Sequence, residues 1–491
     1  MLQRIFLASF ILFAATFCSA DEDRPNIVYI LLDDAGYGDL SCYGQEKFQT
    51  PNIDQLAIEG MKFTRHYSGS TVCAPTRCCL MTGKHTGHAY VRGNREVKPE
   101  GQAPMPYDIV TIPRLLQRQG YVTGAFGKWG LGSPGSDSDP ANHFNAFYGY
   151  NCQREAHTYY PTHLWKNKEK ISLDGETYAH TQIHEQAMQF IRNYKDRPFF
   201  LFLPVTIPHA AMHVPDEYSE PFRKKWPEFD DKVGKYANTE VKNPIAAFAG
   251  MMTLMDQQVG ELMALLKELE VDDNTLVMLS SDNGPHQEGG HDPKFFNSNG
   301  PFKGHKRDLY DGGIRCPLIA RWPGKIAPGT KSRMLSAHWD MMPTLLEVAG
   351  AADSVPKDTD GISMLPTLLG DPENQKRHEF LYWEFFERGG KRAVRFGNWK
   401  AVQLDVHKKG DDAHIELYNM QTDIGETKDV AEDNPELIEA AQKVFKAAHT
   451  PSKHWKFGTN PKKKPKASKS KSGEKKNDEK KSMQRNKKKA A

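Results

Sequence analysis

The sequence predicts an α/β fold: a large α/β/α sandwich with a mostly parallel mixed sheet, followed by a smaller antiparallel sheet with one helix. The run Asn26–Leu32 is apolar and rich in β-branched residues, which is typical of a strand buried on both faces of a parallel sheet. Similar runs alternate with helical segments as far as about residue 370. Beyond that point, short aromatic runs are separated by Gly, Asn and charged residues, which favours an antiparallel sheet.

Turn residues locate the helices. Pro51 opens a helix that Gly60 ends, and Pro113 opens a second helix that Gly120 ends. A longer helix is predicted over 244–269 and a last one over 435–448. The strands predicted around them are 26–32, 121–126, 198–203, 276–280 and 317–320 in the large sheet, and 380–384, 393–396, 399–403 and 416–418 in the small one.

The first twenty residues have the composition of a cleavable secretory signal. Arg4 is followed by an apolar run of thirteen residues, 5–17, which is too short to span a bilayer. We therefore expect an exported protein, periplasmic or extracellular; a lipoprotein signal using Cys18 is the alternative. No other stretch is long and apolar enough for a membrane helix. The predicted units are the signal 1–20, a catalytic domain 21–370, a small α+β domain 371–460 and a Lys-rich tail 461–491.

The tail carries most of the positive charge. It holds thirteen Lys and one Arg against three acidic residues, whereas the whole chain has a net charge of +3. This composition has no aromatic residue to build a core, so we expect the tail to be disordered. It either keeps the protein soluble or tethers it to polyanions. Export and the absence of interleaved stacking aromatics argue against nucleic-acid binding.

Polar residues follow two of the predicted strands. Asp33 and Asp34 follow the first strand, and Asp282 and Asn283 follow the strand 276–280. Since open α/β sheets place their sites at the carboxyl ends of strands, these donors should form one cluster with a charge of about −3. Such an all-oxygen set suits Ca²⁺ or Mg²⁺ rather than Zn²⁺. The alternative is that each Asp only caps a turn.

Six segments resemble those of the sulfatase family, in the family's own order along the chain. The most informative is the motif Cys73-x-Pro75-x-Arg77, the signature in which sulfatases oxidise the cysteine to formylglycine. The resemblance implies an alkaline-phosphatase-like sandwich and the hydrolysis of sulfuric esters. The six segments are 33–40, 73–83, 127–132, 208–209, 281–284 and 306–315.

The resemblance also implies a cofactor set. A formylglycine-generating enzyme would convert Cys73 during maturation, and a Ca²⁺ ion, with Mg²⁺ as the alternative, would contact both the hydrated aldehyde and the sulfate. One hydroxyl of the aldehyde hydrate would attack the sulfur, and deprotonation of the other would then expel sulfate. The implied metal ligands are Asp33, Asp34, residue 73, Asp282 and Asn283.

Four further residues have catalytic roles by the same resemblance. Arg77 lies one helical turn after Cys73 and would hydrogen-bond the aldehyde hydrate. Lys128 and Lys306 would neutralise sulfate oxygens as charge develops. His209 would donate a proton to the leaving alcohol oxygen, with Lys306 close by, and the nearby His213 is a competing candidate. The alternative is that either histidine only hydrogen-bonds a turn carbonyl.

Gly130 departs from the family pattern. Many sulfatases have a histidine there, two residues after Lys128, where it contacts the hydrated aldehyde. The base that assists the loss of sulfate is therefore open. The histidines considered as substitutes are His85, His88, His143 and His291.

Specificity is expected to reside in the insertion 153–161, whose hydrogen-bonding and aromatic residues suit sugar hydroxyls. Arg92 and His157 are candidates to bind a second sulfate, a carboxylate or ring hydroxyls. The alternative is a structural loop packed by its tyrosines. The resemblance favours a sulfated carbohydrate as substrate over a steroid or small aryl ester, with synthetic aryl sulfates as further substrates.

Two other functions agree with parts of the sequence. A phosphate or phosphonate ester hydrolase of the same superfamily would use residue 73 unmodified, but that class generally resembles a two-metal site with additional histidine ligands. A non-catalytic anion-binding protein would result if Cys73 stayed a thiol, or if Gly130 abolished the loss of sulfate.

Overall fold

The structure, a computed structural model, describes residues 24–458. The predicted signal 1–20 and tail 461–491 lie outside the described residues. The strands are β1 (Asn26–Leu32), β2 (Met61–Tyr67), β3 (Val122–Lys128), β4 (Ala146–Tyr150), β5 (His163–Lys166), β6 (Glu169–Ser172), β7 (Phe199–Pro204), β8 (Val233–Tyr236), β9 (Thr239–Lys242), β10 (Thr275–Ser281), β11 (Arg315–Arg321), β12 (Thr330–Ser332), β13 (Ser336–Ala337), β14 (Leu381–Phe385), β15 (Lys391–Phe396), β16 (Trp399–Gln403) and β17 (Ile415–Asn419).

The helices lie between and after these strands. The two longest in the described chain are α4 and α6, and residues of both lie in one apolar cluster with residues of the large sheet. The helices are α1 (Pro51–Ile58), α2 (Cys73–Thr82), α3 (Ile112–Arg118), α4 (Ala179–Tyr194), α5 (Asp216–Lys225), α6 (Pro244–Glu268), α7 (Pro293–Phe296), α8 (Asp311–Ile314), α9 (Met341–Val348), α10 (Leu365–Leu368), α11 (Val406–Lys409) and α12 (Pro435–Ala447).

The described chain forms a large mixed sheet with the order β12-β2-β11-β10-β1-β7-β3-β4-β5-β6, and β13 pairs with β2. Its centre is parallel, because β1 pairs in parallel with β10 and β7, and β3 with β7 and β4. Strand β11 is antiparallel to β10 and β2, and β5 is antiparallel to β4. The predicted mostly parallel mixed sheet is therefore confirmed.

Helices cover both faces of this sheet. Alternate residues of β1 point to opposite sides, so each side of the strand joins a separate apolar layer. Ile27, Tyr29 and Leu31 pack with residues of α2, α3 and α9. Val28, Ile30 and Leu32 pack with residues of α1, α4 and α6. The α/β/α sandwich follows directly from this alternation.

The smaller sheet, β14-β15-β16-β17, is antiparallel throughout, as predicted. On one face, Tyr382, Val394 and Leu417 pack against α12 through residues such as Phe445. On the other face, residues such as Trp383 join the apolar layer of the large sheet. The small sheet is thus held to the large unit by a shared core.

Between residues 24 and 458, none of the helices combines the length and the apolar composition that crossing a membrane requires.

Candidate active site

The four predicted metal donors meet at the carboxyl ends of β1 and β10. Leu32 and Ser281 are paired in register, so the residues after them leave the sheet side by side. The Asp34 amide donates to Oδ1 of Asp282 at 3.0 Å, and Nδ2 of Asn283 donates to Oδ1 of Asp34 at 2.7 Å. All four side chains are buried. Register thus brings together two segments that lie far apart in the sequence.

Close backbone packing fixes this corner of the molecule. A Cβ added to Gly284 would lie 2.0 Å from the carbonyl oxygen of Gly312, so no other residue fits there without a shift of the backbone. Gly284 follows Asn283 directly. The absence of a side chain at Gly284 therefore lets Asn283 lie close to the segment 306–315, which carries Lys306.

Cys73 is the first residue of α2, and its Sγ lies 3.4 Å from Oδ1 of Asp33. Arg77, one turn further along the same helix, donates to Oδ2 of Asp282 at 3.0 Å and to the carbonyl oxygen of Lys128 at 2.6 Å. Both side chains are buried. Helix α2 thus places the cysteine and the arginine against the oxygen donors from β1 and β10.

Each carboxylate of the cluster has a cationic neighbour. Lys128 forms an ion pair with Asp33, and Nζ of Lys306 lies 2.7 Å from Oδ2 of Asp34. Asp282 pairs with Arg77. The charge of about −3 belongs to the oxygen donors alone, and the three cations expected at the site each lie beside one of the three carboxylates.

The carboxyl groups differ in how easily they ionise. Burial alone would raise the pKa of Asp33, but Lys128, His209 and Arg77 together lower it well below its usual range. Burial and the neighbouring Asp33 raise the pKa of Asp282 to about 7. Burial and Asp33 likewise raise the pKa of the Cys73 thiol well above its usual value. Burial therefore disfavours the thiolate form of unmodified Cys73, and the thiolate is the nucleophilic form of cysteine.

His209 and Lys306 form a directional pair. Nδ1 of His209 donates to the carbonyl oxygen of Ala210, so Nε2 accepts from Nζ of Lys306 at 2.9 Å. Burial and Lys306 lower the pKa of His209 well below its usual value. Burial would also lower the pKa of Lys306, but attraction to Asp34 and other nearby groups outweighs it and raises this pKa well above its usual value. The exchangeable proton of this pair therefore resides on Lys306.

The donor set fits an oxygen-ligated cation. Oδ1 of Asn283 is buried beside the carboxylates and has no hydrogen-bond partner in the described chain. An unpaired buried amide oxygen among three carboxylates is the kind of acceptor that Ca²⁺ or Mg²⁺ completes. Asp33, Asp34, Asp282 and Asn283 would hold such an ion, and residue 73 lies next to them.

Comparison with known proteins decides the family. A family model described as Sulfatase matches residues 25–351, and one described as N-sulphoglucosamine sulphohydrolase, C-terminal, matches residues 302–450. The chain belongs to the sulfatase family. It is thereby a sulfuric ester hydrolase of the alkaline phosphatase superfamily, as its sequence segments predicted.

Relatives of this sulfatase match over most of their length. Human N-acetylgalactosamine-6-sulfatase is 32% identical over 379 residues, which cover 72% of this chain and 67% of the relative. Human arylsulfatase A is 31% identical over 474 residues, which cover 86% and 87%. The solved structure of Ps i-CgsB in complex with k-i-k-neocarrahexaose has a TM-score of 0.74 and 26% identity, covering 88% of this chain and 95% of that chain.

Of the two predicted substrate residues, the sulfatase places only His157 beside the catalytic residues. The His157 ring stacks on His209 with a centroid distance of 4.1 Å and an interplanar angle of 4°. Arg92 is instead buried, and its guanidinium donates to the carbonyl oxygen of Ala89 and to both oxygens of Thr450. Arg92 therefore anchors the C-terminal segment and is not retained as a substrate contact.

The four histidines considered as substitutes for the one missing at Gly130 all interact with residues outside the active site. His88 hydrogen-bonds Asp360 with its ring, and His85 lies 3.6 Å from the same carboxylate. His143 pairs with Thr111, and His291 stacks on Phe248 at 3.9 Å. None of these four histidines contacts the catalytic residues named above. His157, the candidate for substrate binding, does contact one of them, because its ring stacks on His209.

The insertion 153–161 packs as a structural loop and also lies beside the catalytic residues, and its part in specificity stays a prediction. Tyr159 is buried and donates to the carbonyl oxygens of Thr206 and His209, which fixes the loop that carries His209. Gln153 is buried next to Gly130. No local sequence signal marks Gln153 for this place, because only the path of the insertion brings it there.

Proposed function

We propose that this protein hydrolyses sulfate esters of carbohydrates, with residue 73 converted to formylglycine and a Ca²⁺ ion held by Asp33, Asp34, Asp282 and Asn283. The observation that supports this most directly is the buried Cys73 sulfur, 3.4 Å from Asp33 and at the start of a helix aimed at the oxygen donors. Burial and Asp33 also raise the pKa of the unmodified thiol, so the unconverted cysteine would be a poor nucleophile here.

The hydrated aldehyde would supply a nucleophilic hydroxyl, and the cation would polarise the sulfate group. The chain itself supplies the compensating charge. When a divalent ion neutralises the carboxylates, Lys128, Lys306 and Arg77 are left to bind the oxygens of the anionic ester. These cations are already buried and oriented, so little reorganisation is needed as charge develops on the sulfate.

The leaving group would receive its proton from the Lys306–His209 pair. Because Nε2 of His209 accepts from Lys306, the proton that moves toward the leaving oxygen starts on Nζ of Lys306. His209 then orients that ammonium group. If the leaving oxygen lies nearer to the imidazole than to Lys306, Nε2 of His209 would take the proton from Nζ and pass it to that oxygen. The prediction had His209 donate with Lys306 close by, and the proposal now starts the proton on Lys306.

A sulfated carbohydrate is the proposed substrate. The similar proteins include one named for N-acetylgalactosamine-6-sulfate and one solved with a neocarrahexaose. Aryl sulfates are proposed as synthetic substrates. We further propose export, maturation by a formylglycine-generating enzyme and contact of the tail with polyanions; these rest on the composition of residues 1–20 and 461–491 and on the Cys73 motif.

Two measurements test the proposal. Mass analysis of the peptide containing residue 73 should show the loss that accompanies conversion of cysteine to formylglycine. Sulfate release from an aryl sulfate and from sulfated galactose oligosaccharides should require that conversion and should vanish in Cys73→Ala. Converted protein that releases no sulfate would instead indicate an anion-binding role.

A phosphate ester hydrolase with a second metal ion has less support. His286 is the further histidine near Asp34, but its Nε2 donates to the carbonyl oxygen of Pro208 and its Nδ1 accepts from the Glu288 amide. Both ring nitrogens are therefore engaged. Phosphate release that survives Cys73→Ala would nevertheless favour that alternative over sulfate hydrolysis.

A further inference from the structure

The space beside Gly130 is filled by the side chain of Gln153. The loop after β3 runs along the chain after β4, with the Gly130 amide donating to the carbonyl oxygen of Asn151 at 3.3 Å. A Cβ added to Gly130 would lie 3.3 Å from both Cγ and Nε2 of Gln153 and 3.7 Å from Cδ of Arg77. The Gln153 amide thus occupies the direction in which a side chain at position 130 would project, next to Arg77.

Gln153 carries an unused donor. The residue is only 5% exposed, and its Nε2 has no hydrogen-bond partner within residues 24–458. Leaving a buried N–H group unpaired is unfavourable, so a native structure normally provides an acceptor. Nε of Arg77 is also buried and unpaired in the described chain. Two adjacent donors without an acceptor indicate a site for an oxygen atom that arrives with modification or with substrate.

We propose that Gln153 is a catalytic residue of this sulfatase, whose Nε2 donates, together with Nε of Arg77, to an oxygen acceptor at the nucleophile. This inference rests on the proposed function. The acceptor is either a hydroxyl of hydrated residue 73 or an oxygen of the sulfate ester. Gln153 has no basic nitrogen, so it orients and stabilises this oxygen without removing a proton. Gln153 would thus supply the hydrogen bond that a histidine at position 130 makes in many sulfatases, but it could not act as a base.

Gln153→Met tests the role of the donor, because methionine keeps the length and apolar stem but has no N–H. We expect kcat/KM for an aryl sulfate to fall by about ten- to a hundredfold, the usual weight of a hydrogen bond to a charged group. Conversion of residue 73 and the melting temperature should stay unchanged. The matched control is Gln258→Met, which alters a similarly buried glutamine on α6, 6% exposed, and should retain full activity. Gln153→Asn provides a second, polar variant if the methionine variant folds poorly.

A Cys73→Ala background separates the two acceptors. If the acceptor is a sulfate oxygen, adding Gln153→Met should weaken calorimetric binding of the aryl sulfate about tenfold in the presence of Ca²⁺. If the acceptor is the residue 73 hydroxyl, this binding stays the same while kcat falls in the converted enzyme. A folded, converted Gln153→Met enzyme with wild-type kcat/KM and wild-type binding would overturn the proposal. Failure of the proposed function is a different result, since the wild type itself would then release no sulfate.

Discussion

Two buried charge clusters in this molecule differ in what they leave unpaired. One lies at the carboxyl ends of β1 and β10, and we call it the catalytic cluster. The other joins α8 to the small sheet, and we call it the anchor cluster. The catalytic cluster consists of Asp33, Asp34, Asp282, Arg77, Lys128 and Lys306, and the anchor cluster of Asp311, Glu426, Lys400 and Arg315.

The anchor cluster satisfies its carboxylates with partners from the chain. Asp311 accepts from Lys400 at 2.7 Å, from Arg315 at 3.0 Å and from the Tyr67 hydroxyl at 2.9 Å. Glu426 accepts from the Asp311 amide at 2.6 Å, and its other oxygen lies 2.9 Å from Nζ of Lys400. Every carboxylate oxygen of this cluster therefore has a fixed neighbour, and the cluster holds two units of the fold together.

The catalytic cluster is equally buried but keeps unused capacity. Oδ1 of Asn283, Nε of Arg77 and Nε2 of Gln153 all lack partners in the described part of the chain, and the pKa of Asp282 is raised by burial and by Asp33. Burial and ion pairing alone thus do not distinguish a functional site from a structural one. Polar atoms that have neither a hydrogen-bond partner nor an ion-pair partner do. A raised carboxyl pKa does not, because burial also raises the pKa of Glu426 in the anchor cluster to about 7.

Asp282→Asn should produce the largest change. It removes a proposed cation ligand, and because a Lewis acid contributes several kcal/mol to the transition state, sulfate release should fall by roughly ten-thousandfold. The melting temperature of the metal-free variant should equal or exceed that of the wild type, because burial and Asp33 disfavour the ionised Asp282 more than its pair with Arg77 favours it. Added Ca²⁺ should raise the melting temperature of the wild type only. Wild-type activity in this variant would remove Asp282 from the site.

Lys306→Ala should slow esters of alcohols more than esters of acidic phenols. Loss of a general acid costs about a hundred- to ten-thousandfold when the leaving oxygen needs a proton, and much less when it does not. The measurement is kcat/KM for a sugar sulfate and for a nitrophenyl sulfate. Lys128→Ala is the matched control and should slow both substrates alike. Equal losses in the two lysine variants would argue against proton donation from Lys306.

Asp311→Asn should act on stability. Removing one partner of a buried ion pair costs about 3–5 kcal/mol, because the remaining charge stays buried. Urea unfolding should show this loss, while sulfate release per folded molecule stays near that of the wild type. Asp216→Asn, which alters an exposed pair with Arg223, is the control and should change the free energy of unfolding little. A large activity loss without destabilisation would show that the two clusters are coupled.

The stability that Asp311 contributes should depend on pH. Burial raises the pKa of Asp311, but Lys400 and Arg315 outweigh it and lower the value to about 2, below the ordinary 3.8. An acid whose pKa is lower in the folded than in the unfolded state stabilises the fold at any pH above its unfolded pKa. This stabilisation is lost as the pH falls from the unfolded pKa toward the folded pKa. The difference in unfolding free energy between wild type and Asp311→Asn should therefore narrow between about pH 5 and about pH 3. A difference that stays constant over this range would contradict the assignment.

The smallest effect concerns the tail. Deletion of residues 461–491 removes a net positive segment, so affinity for an immobilised sulfated polymer should fall about tenfold at low salt. Turnover of an aryl sulfate should not change, because neither cluster includes the tail. The difference between full-length and truncated protein should disappear at high salt. Identical elution of the two proteins at low salt would favour the solubilising role.

Sequence alone located the main elements where local signals are strong. Strand β1 has the predicted bounds, and α6 was predicted to within one residue at its C-terminal end, since a buried apolar run and a Pro start are local features. Strand β2 was missed because Lys62, Thr64 and Arg65 interrupt its apolar residues. The hairpin β8–β9 was missed because it is short, polar and largely exposed.

For the site, the sequence determined which chemical groups follow each strand, and the tertiary structure determined what surrounds them. Asp33, Asp282, Cys73 and Lys306 come together as predicted, because parallel strands bring their carboxyl ends to one edge. The structure alone decided that Arg92 serves the C-terminal segment, which cation pairs with which carboxylate and that Gln153 fills the space beside Gly130. These contacts join residues on different loops, and the path of a loop depends on packing across the whole fold, which no local pattern records.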